Sequence, residues 1–215
     1  MSHKPAPREM PAMTPAQRRA NWWHYHWFWV LLGLAALLAA GRIAWDHLTR
    51  LAPDCSVAVV TRCALLPEEE SALLAALTAA AQDTNGDGQV LVVLNLIPLQ
   101  YNAAGLDEMS AALLATSLEK LNADFYTCQS GLFLLDDPGA FQAAHHALRY
   151  LDGSEPPETA ADWQNMARPL AESPALAGLQ LAGLNAKSLW LGRRIDGDGA
   201  DFAGADALWQ ALYPD

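Results

Sequence analysis

Short catalytic signatures are missing from these 215 residues. The chain has no GxSxG turn, no HExxH helix, no P-loop and no GxGxxG. Each of those motifs puts a nucleophile, a metal or a phosphate cradle at a fixed place, so the sequence makes no case for the chemistries they serve. Cysteine is scarce, with only Cys55, Cys63 and Cys128. Three cysteines build no disulfide framework, although one bridge plus one free thiol, or three free thiols, are both open. There is no CxxC and no Cys/His cluster, which argues against a structural zinc site. Positive charge is also sparse after residue 50. Residues 51–215 carry seven Lys/Arg against 22 Asp/Glu, a net charge of −15. Such a domain repels phosphate backbones, so nucleic acid is not an expected partner.

Long apolar runs are rare too, and a single one is present. It is NWWHYHWFWVLLGLAALLAAGRIAW, residues 21–45. Its apolar part covers about 20 residues, the length that crosses roughly 30 Å of hydrocarbon as a helix. Five of the eight Trp fall in it: Trp22, Trp23, Trp27, Trp29 and Trp45. An indole has an apolar body and one N–H that wants water, so Trp at both ends fits the membrane interface better than a buried core helix. His24 and His26 lie where headgroups and water reach them. Ahead of the run stand Lys4, Arg8, Arg18 and Arg19 against Glu9 alone. Positive flanks stay in the cytoplasm, which puts residues from about 46 onward outside. Ala39-Ala40-Gly41 offers small residues for signal cleavage. The long basic flank and the Trp pairs favour an uncleaved anchor instead, and no Cys follows that could carry a lipid.

The organisation that follows is a tail at 1–20, an anchor at 21–45, a linker at 46–54 and an acidic domain at 55–215. The tail holds four Pro and reads as disordered. Thr14-Pro15 is a start signal for the anchor helix, with Pro at the first helical position.

Within the domain the pattern alternates. Residues 56–61 and 90–96 are apolar and rich in β-branched side chains, as in strands buried on both faces. Pro67 opens a helix with Glu68, Glu69 and Glu70 in its first turn, where negative charge meets the positive end of the helix dipole. A second helix is expected at 106–122, with Leu113, Leu114, Leu118 and Leu121 forming an apolar stripe on one side, and a third strand at 131–135. Asp137-Pro138 is a cap followed by Pro for a helix running to about 151. Residues 159–170 read as helix, 188–195 as a fourth strand and 205–213 as a closing helix. Strands separated by helices predict an α/β fold of βαβ type, with a mainly parallel four-stranded sheet behind an N-terminal transmembrane helix.

The residues at 57–61, 90–96, 106–121 and 131–137, with the DTNGDG turn and the LDDP strand end, resemble one lobe of an extracytoplasmic solute-binding protein. The chain also resembles uncharacterised bacterial single-pass membrane proteins with a Trp-rich anchor. The resemblance to a solute-binding lobe implies a strand ending in acids at a ligand cleft. The chain is too short for a second lobe.

Three constellations are candidates for chemistry. Asp83, Asn85 and Asp87 with the carbonyl of Gln89 have the spacing of a Ca²⁺ loop, Gly88 standing at the turn position. The position where an EF-hand needs Glu is Leu94, so an EF-hand is rejected. A looser Ca²⁺ site competes with a plain helix-to-strand turn, whose positive φ values Asn-Gly and Asp-Gly supply. Asp136 and Asp137 end a strand, where open parallel sheets bind ligands, and are candidates for holding a cation or an amine. The plain alternative is a helix cap and a solvated acid. Asp196, Asp198 and Asp201 read as a solvated turn. His145 and His146 are adjacent on a helix and point to different faces. Arg193-Arg194 reads as ordinary surface. The expected function is a membrane-anchored, extracytoplasmic binding or interaction module that is not an enzyme, with an envelope protein as a possible partner. The alternative is an envelope enzyme using Asp136/Asp137 or a bound divalent cation.

Overall fold

The computed structural model describes residues 14–49, 52–101, 107–176, 178–179, 188–195 and 202–214. Its contacts divide the chain into two compact units, residues 1–50 and 51–215.

Among the described residues the first unit is one helix, α1, Pro15–Thr49. Thr14 and Gln17 cap its start reciprocally. Thr14 N donates to Gln17 Oε1 at 3.0 Å, and Gln17 N donates to Thr14 Oγ1 at 3.4 Å. Both orphan amides are thereby satisfied before Pro15 enters the first turn. The helix therefore begins inside the stretch expected to be a disordered tail and runs through part of the expected linker. No proline interrupts residues 16–49, so nothing local stops it. By length and composition Pro15–Ile43 is able to cross a membrane, and its most apolar window is 0 % buried by protein. Near its start Trp22 stacks on His26, with ring centroids 5.0 Å apart and planes within 7°.

The second unit is a five-stranded sheet of order β2-β1-β3-β5-β4 with helices packed on it. The strands are β1 Cys55–Thr61, β2 Val92–Pro98, β3 Leu132–Leu135, β4 Ala167–Pro169 and β5 Trp190–Arg193. The helices are α2 Pro67–Ala80, α3 Glu108–Thr127, α4 Pro138–His145 and α5 Ala203–Leu212. β1 is central and all seven of its residues are buried. Its alternation serves both faces, because successive side chains point opposite ways. Val57 and Val59 join Leu73, Leu77, Leu208 and Leu212 in one apolar cluster. Ala58 and Val60 join Leu121, Phe133 and Phe141 in the other.

β1 pairs in parallel with β2 and with β3. β5 runs antiparallel to β3, and β4 antiparallel to β5. The sheet is thus mixed and five-stranded, where four mainly parallel strands were expected. Four strands share one direction, and the segment anticipated as the fourth strand is the reversed one. The extra strand, β4, lies inside the expected helix at 159–170. Pro169 explains the error, since a proline disfavours the helical region for the residue before it. Only 3₁₀ turns form there, at Trp163–Asn165 and from Leu170 on. α4 is also shorter than expected. His146 takes a left-handed conformation at φ 48°, and Gln142 Oε1 accepts from Leu148 N at 3.1 Å, which turns the chain back to the sheet.

Asp54, just ahead of β1, ties the amino ends of the central strands. Its Oδ1 accepts from Thr84 N at 2.8 Å and Asn85 N at 3.2 Å, and its Oδ2 from Leu91 N at 2.8 Å. Asp54 N donates to Leu91 O at 2.9 Å. Gly204 of α5 presses on the same backbone, where a Cβ would fall 1.7 Å from Asp54 O. Burial opposes ionisation of Asp54, but the amides of Leu91, Thr84 and Asn85 outweigh it and hold the carboxyl below its ordinary value. Because the folded value is depressed, this stabilisation is complete above the unfolded value of about 4 and fades as pH falls through the folded one. Asp54→Ala is expected to lower unfolding free energy by roughly 2–4 kcal/mol near neutral pH. Denaturant titration should show the deficit shrinking below pH 4, whereas a deficit under ~0.5 kcal/mol at pH 7 would mark the contacts as incidental.

Candidate functional site

The carboxyl ends of β1, β2 and β3 lie together because the three strands are parallel. β2 and β3 flank β1 on opposite sides, so the chain's connections diverge there, and open sheets place ligands at such a point. β1 leads into Arg62, β2 into Gln100 and Tyr101, and β3 into Asp136 and Asp137.

The two acids are turned to different tasks. Asp136 Oδ2 accepts from both Arg62 N and Arg62 Nε at 3.0 Å. The Asp136 side chain is 7 % exposed and that of Arg62 is 59 % exposed, so the carboxylate is enclosed while the guanidinium faces water. Asp137 Oδ1 accepts from Ala140 N at 3.0 Å and caps α4, with Pro138 in the first turn. Neighbours in sequence, the two carboxylates thus join β1 to β3 and start a helix.

Beside them lies a small aromatic nest. The ring of His145 sits 5.8 Å from Tyr101, 5.4 Å from Phe125 and 5.2 Å from Phe141. Tyr101 Oη, His145 Nε2 and Gln142 Nε2 are buried with no hydrogen-bond partner among the described residues. Burial, followed by the charge of His146, lowers the pKa of His145 below its ordinary value. Burial, followed by the charges of Asp137 and Asp136, raises that of Tyr101. Both rings are therefore neutral at pH 7.

Next to Arg62 a groove of about 550 Å³ runs between the end of β2 and α3. Leu96, Pro98, Leu113 and Leu114 give it an apolar floor, and Arg62 and Lys120 supply charge. Among the described residues its lining contains no Asp or Glu. Lys120 Nζ donates to Leu96 O at 2.7 Å, and Leu113 is 63 % exposed. Leu113 was expected to belong to an inward stripe of α3. The inward face is instead Ser117, Leu121 and Asp124.

The DTNGDG loop lies at the other end of β2. Asp83 Oδ1 accepts from Gly86 N at 2.6 Å and its Oδ2 from Gly88 N at 2.9 Å. Asn85 Oδ1 accepts from Asp87 N and Asp87 Oδ1 from Gln89 N, each at 2.9 Å. Gly86 and Gly88 have φ of 73° and 83°, the conformation for which glycine suits this turn. The oxygens spaced for a cation are thus used on the loop's own amides. Among the described residues no group of three or more His, Cys, Asp or Glu is placed to hold a metal ion. Residues Asp196, Asp198 and Asp201 lie outside the described residues. All three cysteines are free, and burial with the neighbouring Asp54 charge pushes the Cys55 thiol up to about 12.

A buried polar network escaped the sequence reading. Asp124 Oδ2 accepts from Ser130 Oγ at 2.5 Å and Asn95 Nδ2 at 2.9 Å, and Oδ1 from Ser130 N at 3.2 Å. Arg194 Nη1 lies 3.5 Å from Asp124 Oδ1, and Nη2 donates to Phe125 O at 2.7 Å. The cation meets the last carbonyls of α3, at the negative end of the dipole. Arg193 pairs with Asp206 at 3.5 Å and donates to Leu151 O at 2.6 Å. Neither arginine is the ordinary surface residue expected. The available signal was Asp124 itself, one turn beyond Leu121 on the apolar side of a helix, where a carboxylate demands a partner.

No protein-family model, no curated protein and no solved structure matches the chain. Fold and site together define a mixed α/β domain carried on one helix able to cross a membrane.

The nest yields a pH prediction. A histidine whose folded pKa is lowered binds its proton more readily when unfolded. The stability tied to it is therefore full above the unfolded value of about 6.5 and is lost as pH falls below that. His145→Phe is expected to flatten the decline in melting temperature between pH 7 and pH 5. An unchanged slope would assign the decline to other groups.

Proposed function

We propose that this protein is a membrane-anchored binding or interaction module, non-enzymatic, with residues 51–215 on the extracytoplasmic side. The observation that carries it is the groove beside Arg62. It is open, apolar along its floor and bordered by two cations, while the carboxylates at the same sheet edge are engaged in holding the fold. An enzyme needs a reacting or proton-moving group aimed into its cleft. Here Asp136 is enclosed against Arg62 and Asp137 caps α4, and this supports recognition over catalysis. The placement of the domain rests on four basic residues against one acidic residue ahead of the apolar run at 21–45. The likeness to one lobe of a solute-binding protein fits a groove at strand ends, used by one lobe alone.

The test is a photo-crosslinking amino acid at position 113 of the full chain in its native membrane, with position 126 as control. Tyr126 is 91 % exposed on the same helix but outside the groove lining. Illumination of intact cells should give a discrete adduct from 113 and none from 126, and protease added outside should digest it. Equal adducts from both positions would remove the groove as the binding site. A protease-protected adduct would overturn the orientation.

A further inference from the structure

We infer that the outer edge of β2 is a docking site for an extended, acidic peptide segment of a partner protein, which joins the sheet as an added strand. The inference rests on the binding-module reading and names the partner chemistry.

The two edges of the sheet differ. β4 is only three residues long. Short length is a usual means of blunting an edge. β2 is seven residues of sequence VVLNLIP and lies at the opposite edge. Both strands end in a proline, so length sets the two edges apart. Leu91 O accepts from Asp54 N and Leu99 N donates to Thr61 O, both at 2.9 Å. Residues 91 and 99 therefore face the β1 side. Alternation turns the N–H and C=O of Val92, Leu94 and Leu96 outward, about 6.6 Å apart along the strand. The bond from Lys120 Nζ to Leu96 O confirms that direction, since Lys120 is an exposed residue of α3 rather than of β1. A long apolar edge of this kind is a template for strand addition.

Charge selects the occupant. Residues 51–215 contain only seven basic residues, and two of them, Arg62 and Lys120, line the groove that borders this edge. Among the described residues the lining holds no acid. An incoming strand offers its own N–H to Leu96 O in place of the Lys120 ammonium. That ammonium then has a carboxylate of the peptide to meet, and Leu113 has an apolar side chain. The matching segment alternates apolar residues, carries Asp or Glu at the end over Arg62 and Lys120, and lacks proline. A second copy of this chain fits poorly. It would bring another domain of net charge −15 and a second Lys120 to the same edge.

The probes are three synthetic ten-residue peptides added to the full chain in zwitterionic nanodiscs. The first alternates Val and Thr and ends in two Glu. The second replaces both Glu by Lys, and the third places Pro at its centre. Amide hydrogen exchange at residues 94 and 96 and fluorescence anisotropy are the readouts. The acidic peptide should slow exchange at both amides and bind at least tenfold more tightly than the Lys peptide. The Pro peptide should protect neither amide. Lys120→Glu, an exposed change, should leave the melting temperature unchanged and reverse the preference between the Glu and Lys peptides. Equal binding of those two peptides, or exchange unaffected by any peptide, overturns the inference. Protection that grows with protein concentration alone assigns the edge to a second copy and also overturns it. If the peptides fail while the adduct from position 113 still forms, the strand-addition inference falls and the binding-module reading stands.

Discussion

The carboxylate of Asp124 lies in a residue only 2 % exposed, inside the α3 side of the sheet. A lone charge there costs several kcal/mol in lost hydration. The fold meets that cost with Ser130, Asn95 and Arg194, drawn from the amino end of β3, from β2 and from the end of β5. The pair alone is no argument for stability, because an apolar replacement of both partners is often as good. What the pair does is fix geometry. It sets α3 against three strands, and Arg194 closes the carbonyls at the end of that helix. If α3 shifted by one turn, Asp124 would lose its partners, so the position of Leu113 and Lys120 over β2 depends on this buried contact.

Asp54 plays the corresponding part on the other side of β1. It gathers the DTNGDG loop and the start of β2 through four donors. Together the two acids pin the segments that lead into the parallel strands. The carboxyl ends are left to Arg62, Lys120 and the groove. The proposed binding groove thus lies at the opposite strand ends from these two acids, where open parallel sheets place ligands. The arrangement also explains how a domain so rich in acid presents a local cationic surface. Many of its arginines are consumed inward, Arg149 and Arg193 against Asp206 and Arg194 against Asp124, while Arg62 keeps a water-facing guanidinium.

Much of this was legible in the residues. α1, β1, β2, β3 and the four helices from Pro67 onward follow from apolar runs, caps and prolines. Asp137-Pro138 was readable as a cap, and the structure uses it as one. Long-range pairing was not legible. β4 is three residues whose strand character comes only from β5 beside it, and no local pattern of that length carries a period. The reversal of β5 is set by that tertiary context too. At the site, strand-end chemistry pointed to Asp136, but its partner Arg62 is 74 residues away in the chain. The groove depends on which face of α3 turns inward, and Leu113 satisfies an apolar stripe on paper while facing solvent in the fold.

In the proposed reading the buried acids hold the fold and the exposed groove recognises a partner. That reading is tested most directly by comparing Asp124→Ala with Leu113→Asp in the full chain, each carrying a photo-crosslinker at Ser110. Melting temperature and adduct yield are read on the same samples. The account predicts that Asp124→Ala destabilises by about 3–5 kcal/mol, as when one partner of a buried ion pair is removed. It predicts that Leu113→Asp leaves the melting temperature unchanged and abolishes the adduct. A Leu113→Asp protein that melts early, or one that keeps its adduct at full yield, would contradict it.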